Sequence, residues 1–194
     1  MSKTRNDVFS NLKTLLDSSS LSCLCISSSS LNEITLGQYQ KFLKVAEENQ
    51  EGSFLNAKMI EIFCGIPLSD SYKLKMSSVE AIVDILTEML NETPAHIDKF
   101  TLNSTQYGFI PDLDEMSLGE YVDLDGNASD WQKMHIAMNV LYRPISKKIG
   151  EKYLINEYTL DAKEKLEEIP MDIVLGSIFF LYNLGIDLSK TMVN

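Results

Sequence analysis

The sequence predicts a mainly α-helical α+β fold: a compact helical domain with a small β-hairpin and a flexible N-terminal arm. Apolar residues recur at helical spacing over most of the chain, two short strand-like segments flank a polar turn, and serine-rich sequence lies near the N-terminus. The 194 residues, 44% of them hydrophobic, are enough to bury a core. We therefore expect residues 31–194 to form a single helical domain, with two diverged helical halves, 31–97 and 98–194, as the alternative.

The predicted N-terminal arm, residues 1–30, joins a short amphipathic segment to a serine-rich linker. Residues 7–17 place apolar side chains at helical spacing, which predicts a first helix. Serines then dominate residues 18–30, except in the apolar segment 21–26, which favours one short strand within the linker.

The helices of the domain are predicted from apolar periodicity together with signals for their ends. They cover residues 36–49, 54–64, 131–141 and 171–188, and a further helix runs from Ser77 to Leu90. A Ser or Thr followed three residues later by Glu or Gln is typical of a capping box. This spacing occurs at Thr35 and Gln38, at Ser77 and Glu80, and at Ser117 and Glu120, while Ser53 and Asp130 are single N-cap candidates.

The middle of the chain has a different pattern. Residues 97–103 and 106–110, separated by Ser104-Thr105, predict a β-hairpin that ends at Pro111. The sequence Asp125-Gly126-Asn127 is typical of a turn that reverses the chain. Residues 146–169 mix lysines with acids and predict polar helical segments or a hinge.

An internal similarity is compatible with a diverged duplication. Glu33–Tyr39 matches Glu115–Tyr121 class by class, and each is followed by a Lys-Met pair and then a proline. The spacing differs between the two copies, and capping boxes are common, so chance similarity is the alternative. A true repeat predicts that the helices after Gly37 and Gly119 superpose together with the Lys-Met helices that follow them.

Charge and composition exclude several classes of protein. Seventeen Lys and Arg against 28 Asp and Glu give a net charge of −11, which argues against a nucleic-acid-binding surface. The N-terminus lacks the apolar run of a secretory signal, and the most apolar stretch, residues 173–184, is shorter than the ~20 residues of a membrane span. Cys23, Cys25 and Cys64 are too few for a four-ligand zinc site and fit reduced thiols.

The candidate catalytic and metal-binding residues match known motifs poorly, so we expect no enzymatic activity, no cofactor and no metal. The acidic segment 112–130 resembles a calcium loop from Asp123, but Ala128 and Met134 stand where such a loop needs its glycine and glutamate. A solvated acidic turn is the simpler interpretation, with a divalent cation as the alternative. His96 and His135 have no sequence neighbours that would form a nucleophilic site with Cys64, so packing or surface roles are favoured.

Two apolar stretches, residues 142–145 and 178–182, have two interpretations. They form part of the protein's own core, or another chain covers part of their surface. The candidate partner-binding residues are Trp131, Tyr142, Arg143, Phe179, Phe180 and Tyr182.

Four segments carry a resemblance to a known group of proteins. Gly108–Asp114, Ser117–Leu124, Met134–Ile145 and Ile169–Phe180 resemble small acidic proteins of tailed bacteriophages, over residues 31–188. The resemblance implies a role in virion morphogenesis, as a protein like a tail-assembly chaperone or as a minor structural protein. It implies no catalytic residues.

The expected function is therefore non-enzymatic binding of another phage virion protein, of the tail, neck or tape-measure type, during tail or neck assembly. The alternatives are a permanent structural component or a packaged cargo protein of the virion. A third hypothesis is a small metal-dependent enzyme that uses the acidic segment 112–130. We expect no nucleic-acid or membrane partner, and a homo-oligomer is left open. The expected location is the host cytoplasm during assembly, with retention in the virion also left open.

Overall fold

The computed structural model describes residues 30–49, 52–150, 152–159 and 166–192, and these residues confirm the mainly helical α+β class. The chain separates into two compact units. One contains the residues up to Ile34 and Gln38–Glu92, and the other contains Thr35–Gly37 and the residues from Thr93 onward. This division falls close to residue 97, where the alternative prediction divides the chain. The predicted arm lies outside the described residues, apart from Ser30.

The described part of the first unit is helical. Its helices are α1 (Leu36–Glu48, whose first two residues belong to the second unit), α2 (Ser53–Cys64), α3 (Leu68–Ser71) and α4 (Met76–Leu90). The three longer helices confirm the predictions. Helix α2 ends at Gly65, which has the left-handed φ of 70° that favours glycine at a helix end. The Gln38 side-chain amide donates to the Ile62 carbonyl oxygen (2.9 Å) and joins α1 to α2.

Two of the predicted caps in this unit are wrong. Helix α4 begins at Met76, one residue before Ser77, and the preceding Lys75 makes no side-chain cap. Ser53 is the first residue of α2, and Gly52 takes the N-cap position. The buried side chains of both helices lie beyond their first turns. The apolar side chains that are buried include Ile60, Phe63, Ile82, Leu86 and Met89.

The second unit contains a four-stranded antiparallel sheet in the order β1-β2-β3-β4. The strands are β1 (Lys99–Leu102), β2 (Thr105–Phe109), β3 (Tyr142–Ile149) and β4 (Lys152–Ile155). The predicted hairpin is confirmed as β1 and β2. Its turn lies one residue earlier than expected, at Asn103-Ser104, and both residues have positive φ (47° and 65°).

The prediction of helical segments or a hinge from residue 146 onward is wrong where β3 and β4 form a second hairpin. Lysines at positions 147, 148 and 152 conceal the strand pattern. Their side chains are exposed to water, two on the part of β3 that extends beyond its pairing with β2 and one on the edge strand β4. Apolar contact comes from across the sheet. The Tyr153 ring of β4 covers Gly108 of β2, and the Tyr153 hydroxyl donates to the Phe109 carbonyl oxygen (2.8 Å).

Three helices accompany the sheet: α5 (Leu118–Asn127), α6 (Met134–Leu141) and α7 (Met171–Met192). The predicted turn at residues 125–127 is wrong, because these residues complete α5. Helix α6 starts three residues later than predicted, and Asp130 instead accepts a hydrogen bond from the Gln132 backbone in the preceding turn (2.9 Å). Helix α7 follows Pro170 as predicted and extends four residues beyond 188.

Of the two interpretations of the internal similarity, the order of the elements does not favour a duplication. Helix α2 leads into two further helices, whereas α6 leads directly into strand β3. Lys58-Met59 lies in the middle of α2, but Met134 is the first residue of α6. The equivalent leucines also differ, since Leu36 is buried and Leu118 is exposed. The similar residues are therefore two helix starts in different surroundings.

Candidate functional site

Helix α5 begins with a capping box formed by Ser117 and Glu120. The Ser117 side chain accepts a hydrogen bond from the Glu120 backbone N–H (3.3 Å), and the Glu120 carboxylate accepts one from the Ser117 backbone N–H (2.7 Å). This is the capping box that the sequence predicts. It satisfies two helix-end donors and holds the Glu120 side chain against its own helix.

Glu120 is also buried, and it forms an ion pair with strand β3. Its carboxylate lies 2.7 Å from Nη2 of Arg143, and both side chains are largely removed from water. Burial raises the pKa of Glu120, but the hydrogen bonds of Ser117 and the charge of Arg143 outweigh it and hold the pKa below 4.5. The carboxylate is therefore charged at neutral pH and anchors α5 to the sheet.

A second anchor lies one turn further along α5. The Tyr158 hydroxyl, in the segment after β4, donates a hydrogen bond to the Asp123 carboxylate. Burial, that hydrogen bond and the nearby charge of Asp123 raise the pKa of Tyr158 to about 12, so it remains a donor. The Tyr158 ring packs beside Gly119, where a Cβ would lie 3.5 Å from the ring. The Glu120 and Asp123 side of α5 thus turns toward the protein.

The opposite side of α5 presents apolar residues to solvent. Leu118, Tyr121 and Val122 are 79%, 58% and 56% exposed, and their spacing places them on one side of the helix. We call these three residues the α5 apolar face. A surface helix ordinarily turns its apolar side inward and its charges outward. At Leu118, Tyr121, Val122 and Glu120, helix α5 does the reverse, and large exposed apolar patches are typical of surfaces that another molecule covers.

The structure separates the residues predicted to bind a partner. Tyr142 is fully buried, with its hydroxyl 2.6 Å from the Ile97 carbonyl oxygen and 2.9 Å from the Ser177 hydroxyl. Arg143 is paired with Glu120. Both side chains are therefore largely withdrawn from solvent in this structure, and their role as partner contacts stays a prediction. The sequence pattern of Tyr142 and Arg143 does not distinguish a core strand from an exposed one.

The remaining candidates are partly or mostly accessible. Trp131 is half-buried in the turn before α6, and Phe179 is half-buried on α7. The Phe180 ring stacks on His96 with 4.5 Å between centroids and also packs against Phe109. Tyr182 is 66% exposed in the middle of α7. Only Tyr182 of the predicted set therefore offers most of its side chain to solvent.

His96 packs between two aromatic rings and has a role in the fold. It contacts Phe109 edge-on and Phe180 face-on, and its Nε2 lies 3.2 Å from an Asp98 carboxylate oxygen. Burial lowers the pKa of His96 from 6.5, and it outweighs the attraction of Asp98, which acts in the opposite direction. The neutral imidazole is favoured in this aromatic environment.

The acids and the thiol considered for metal binding and catalysis lie in surroundings that do not suit those roles. No group of three or more His, Cys, Asp or Glu side chains in the described part of the chain is placed to hold a metal ion. In the acidic segment, Asp123 is bonded to Tyr158, and Asp112 accepts the Asp114 backbone N–H (3.0 Å). Burial raises the pKa of the Cys64 thiol to about 11, which disfavours the nucleophilic thiolate.

The sequence contained one signal for the α5 apolar face that its acidic surroundings obscured. The capping box predicts a helix start at residue 118, and positions 118, 121 and 122 have helical spacing. Such spacing would ordinarily predict a buried side. The outward orientation depends on the contacts of Glu120 with Arg143 and of Asp123 with Tyr158, and these pairs are distant in sequence.

Comparison of the chain with protein-family models, with curated proteins and with solved structures gives no match. Within the described residues, every helix is too short or too polar to cross a lipid bilayer.

Proposed function

We propose that the protein is a non-enzymatic assembly protein of a tailed bacteriophage, which binds another virion protein through the α5 apolar face. The observation that carries the binding role is the reversed polarity of α5, with Glu120 inside and Leu118, Tyr121 and Val122 outside. The phage context rests on the sequence resemblance alone.

The physical case for binding compares the two sides of α5. Burying a charged pair is costly in free energy and contributes little stability relative to apolar packing. Leaving three apolar side chains in water forgoes the stabilisation of about 25 cal/mol per Å² that their burial would contribute. A partner that covers the α5 apolar face would recover this free energy, and the Glu120 and Asp123 anchors would hold the face in a fixed position for it.

The test is co-expression with neighbouring virion genes, followed by size-exclusion chromatography with light scattering. The apolar variant carries Tyr121→Ser and Val122→Ser. The matched control carries Tyr72→Ser and Met76→Ser in the first unit, where the two side chains have the same exposure of 58% and 56%. We expect wild type and control to form a complex of defined mass and the apolar variant to elute alone.

The proposal fails if the apolar variant retains the complex, or if none of the virion proteins associates with the wild type. Analysis of purified particles then separates the two assembly roles. An assembly chaperone is absent from the mature particle, whereas a structural component or packaged cargo protein is retained.

A further inference from the structure

We propose that the segment bound by the α5 apolar face is a cationic amphipathic helix of the partner protein. This inference rests on the proposed function and adds the chemistry of the ligand. It follows from the helical spacing of the α5 apolar face and from the exposed acids on either side of it. It follows also from the contacts of Glu120 and Asp123, which are paired within the fold.

Exposed acids lie on either side of the α5 apolar face in the sequence, one before α5 and one in its last turn. Asp125 lies seven positions after Leu118, which places it on the same side of the helix as the α5 apolar face. Glu115 precedes the helix by three residues, and both acids are exposed. At 1.5 Å per residue, Leu118 and Asp125 are separated by about 10 Å along the axis. A ligand must therefore combine a short apolar stretch with positive charges on either side.

The two exposed acids, Glu115 and Asp125, form no ion pair among the described residues. Glu120 is neutralised by Arg143, and Asp123 accepts the Tyr158 hydroxyl. Glu115 and Asp125, by contrast, have no Lys or Arg partner among the described residues. Residues 112–130 contain no Lys or Arg at all. Complementary charge on a ligand would steer its approach and fix its register.

Helical geometry suits the partner segment better than an extended strand. The α5 apolar face forms a ridge of residues at i, i+3 and i+4, and such ridges pack into the grooves between the side chains of another helix. An extended segment would bind most readily through backbone hydrogen bonds at a sheet edge, which α5 does not offer.

A second copy of this chain is disfavoured as the occupant. In a two-fold dimer the same surface meets itself, so Glu115 and Asp125 of one copy would face acids of the other. Like charges across an interface weaken association. An anionic membrane or nucleic acid would be repelled for the same reason.

The experiment uses two synthetic amphipathic peptides with identical leucine positions, one with lysine and the other with glutamate at the polar positions. Binding to the full-length protein is followed by fluorescence anisotropy at low and high salt. The charge variant carries Glu115→Gln and Asp125→Asn. Its matched control carries Asp84→Asn and Glu88→Gln, which remove the same charge from the exposed side of α4.

We expect the lysine peptide to bind wild type and this control alike, and the glutamate peptide not to bind. The apolar variant should raise the Kd by about tenfold or more. The charge variant should raise it by about threefold to tenfold and reduce its dependence on salt.

Three results would overturn the inference. The lysine peptide does not bind, or the control weakens it as much as the charge variant does, or the wild type is a dimer that the apolar variant dissociates. Failure here differs from failure of the proposed function. If the apolar variant loses its virion partner but the charge variant keeps both partner and peptide, the binding role stands and the cationic ligand is wrong.

Discussion

At the scale of single residues, the most consequential side chain is Glu120, because it is charged, buried and shared between α5 and β3. Replacing it by Gln leaves the Arg143 guanidinium buried without its counter-charge. We expect Glu120→Gln to lower the free energy of unfolding by about 3 kcal/mol. Urea unfolding measures this loss, and replacing Glu120 and Arg143 together by Leu and Met should restore part of it.

A loss below about 0.5 kcal/mol would mean that the pair behaves like an exposed ion pair.

The pH dependence of stability gives a second test of the Glu120 ion pair. Because the folded-state pKa of Glu120 lies below 4.5, its charge stabilises the fold above that pH. This stability is lost as the pH falls through the folded-state pKa, and Glu120→Gln should remove that part of the acid sensitivity.

For the pKa of His96, burial has the larger effect. Burial between Phe109 and Phe180 lowers this pKa by more than the attraction of Asp98 raises it. The folded state binds a proton less tightly than the unfolded state, so stability decreases as the pH falls below 6.5. An NMR titration of the His96 ring should give a midpoint below 6.5. A midpoint above that value would show that Asp98 dominates.

Gly176 on α7 is close to the backbone before β1. A Cβ at this position would lie 2.6 Å from the Ala95 carbonyl oxygen, so Gly176→Ala should destabilise the protein by about 1–3 kcal/mol. Gly185 on the same helix has no atom within 4 Å of a Cβ. There the change to Ala should stabilise by about 0.5–1 kcal/mol, through helix propensity. Equal effects of both substitutions in urea unfolding would contradict the close contact at Gly176.

At the scale of elements, the β1–β2 turn has a residue that fits its backbone poorly. Ser104 has a φ of 65°, in the left-handed region where a side chain is disfavoured. Ser104→Gly should raise the free energy of unfolding by about 0.5–1 kcal/mol. Ser77→Gly within α4 is the matched control and should lower it by a similar amount. A loss of stability with Ser104→Gly would show that serine is not disfavoured at this turn position.

The elements also differ in how far their sequences determine them. Helices α1, α2 and α4 and the first hairpin follow from local apolar patterns and turn residues, and they were predicted. Strands β3 and β4 do not follow from local patterns, because their lysine-rich sequence resembles a polar helix. The contact that accompanies the strand structure is between the Tyr153 ring and Gly108 of β2. That contact joins residues far apart in sequence, which a local pattern cannot reveal.

At the scale of the whole molecule, a net charge of −11 accompanies an exposed apolar face that lies between acids. The charge opposes self-association and association with other anionic surfaces, while the α5 apolar face remains available to a partner of complementary charge. The sequence predicted the acidic character and a binding role. The predicted partner contacts are Trp131, Tyr142, Arg143, Phe179, Phe180 and Tyr182. Two of these, Tyr142 and Arg143, are largely withdrawn from solvent, because apolar content alone does not show which side of an element faces water.

The central claim, that the α5 apolar face is the binding surface, is tested most directly by hydrogen exchange. The protein is compared alone and in complex with the virion protein that co-purifies with it. We predict slower backbone exchange in the complex over α5, residues 118–127, with little change over α4. Unchanged exchange over α5, with new protection confined to α7 around Tyr182, would contradict the claim and place the binding surface on that helix instead.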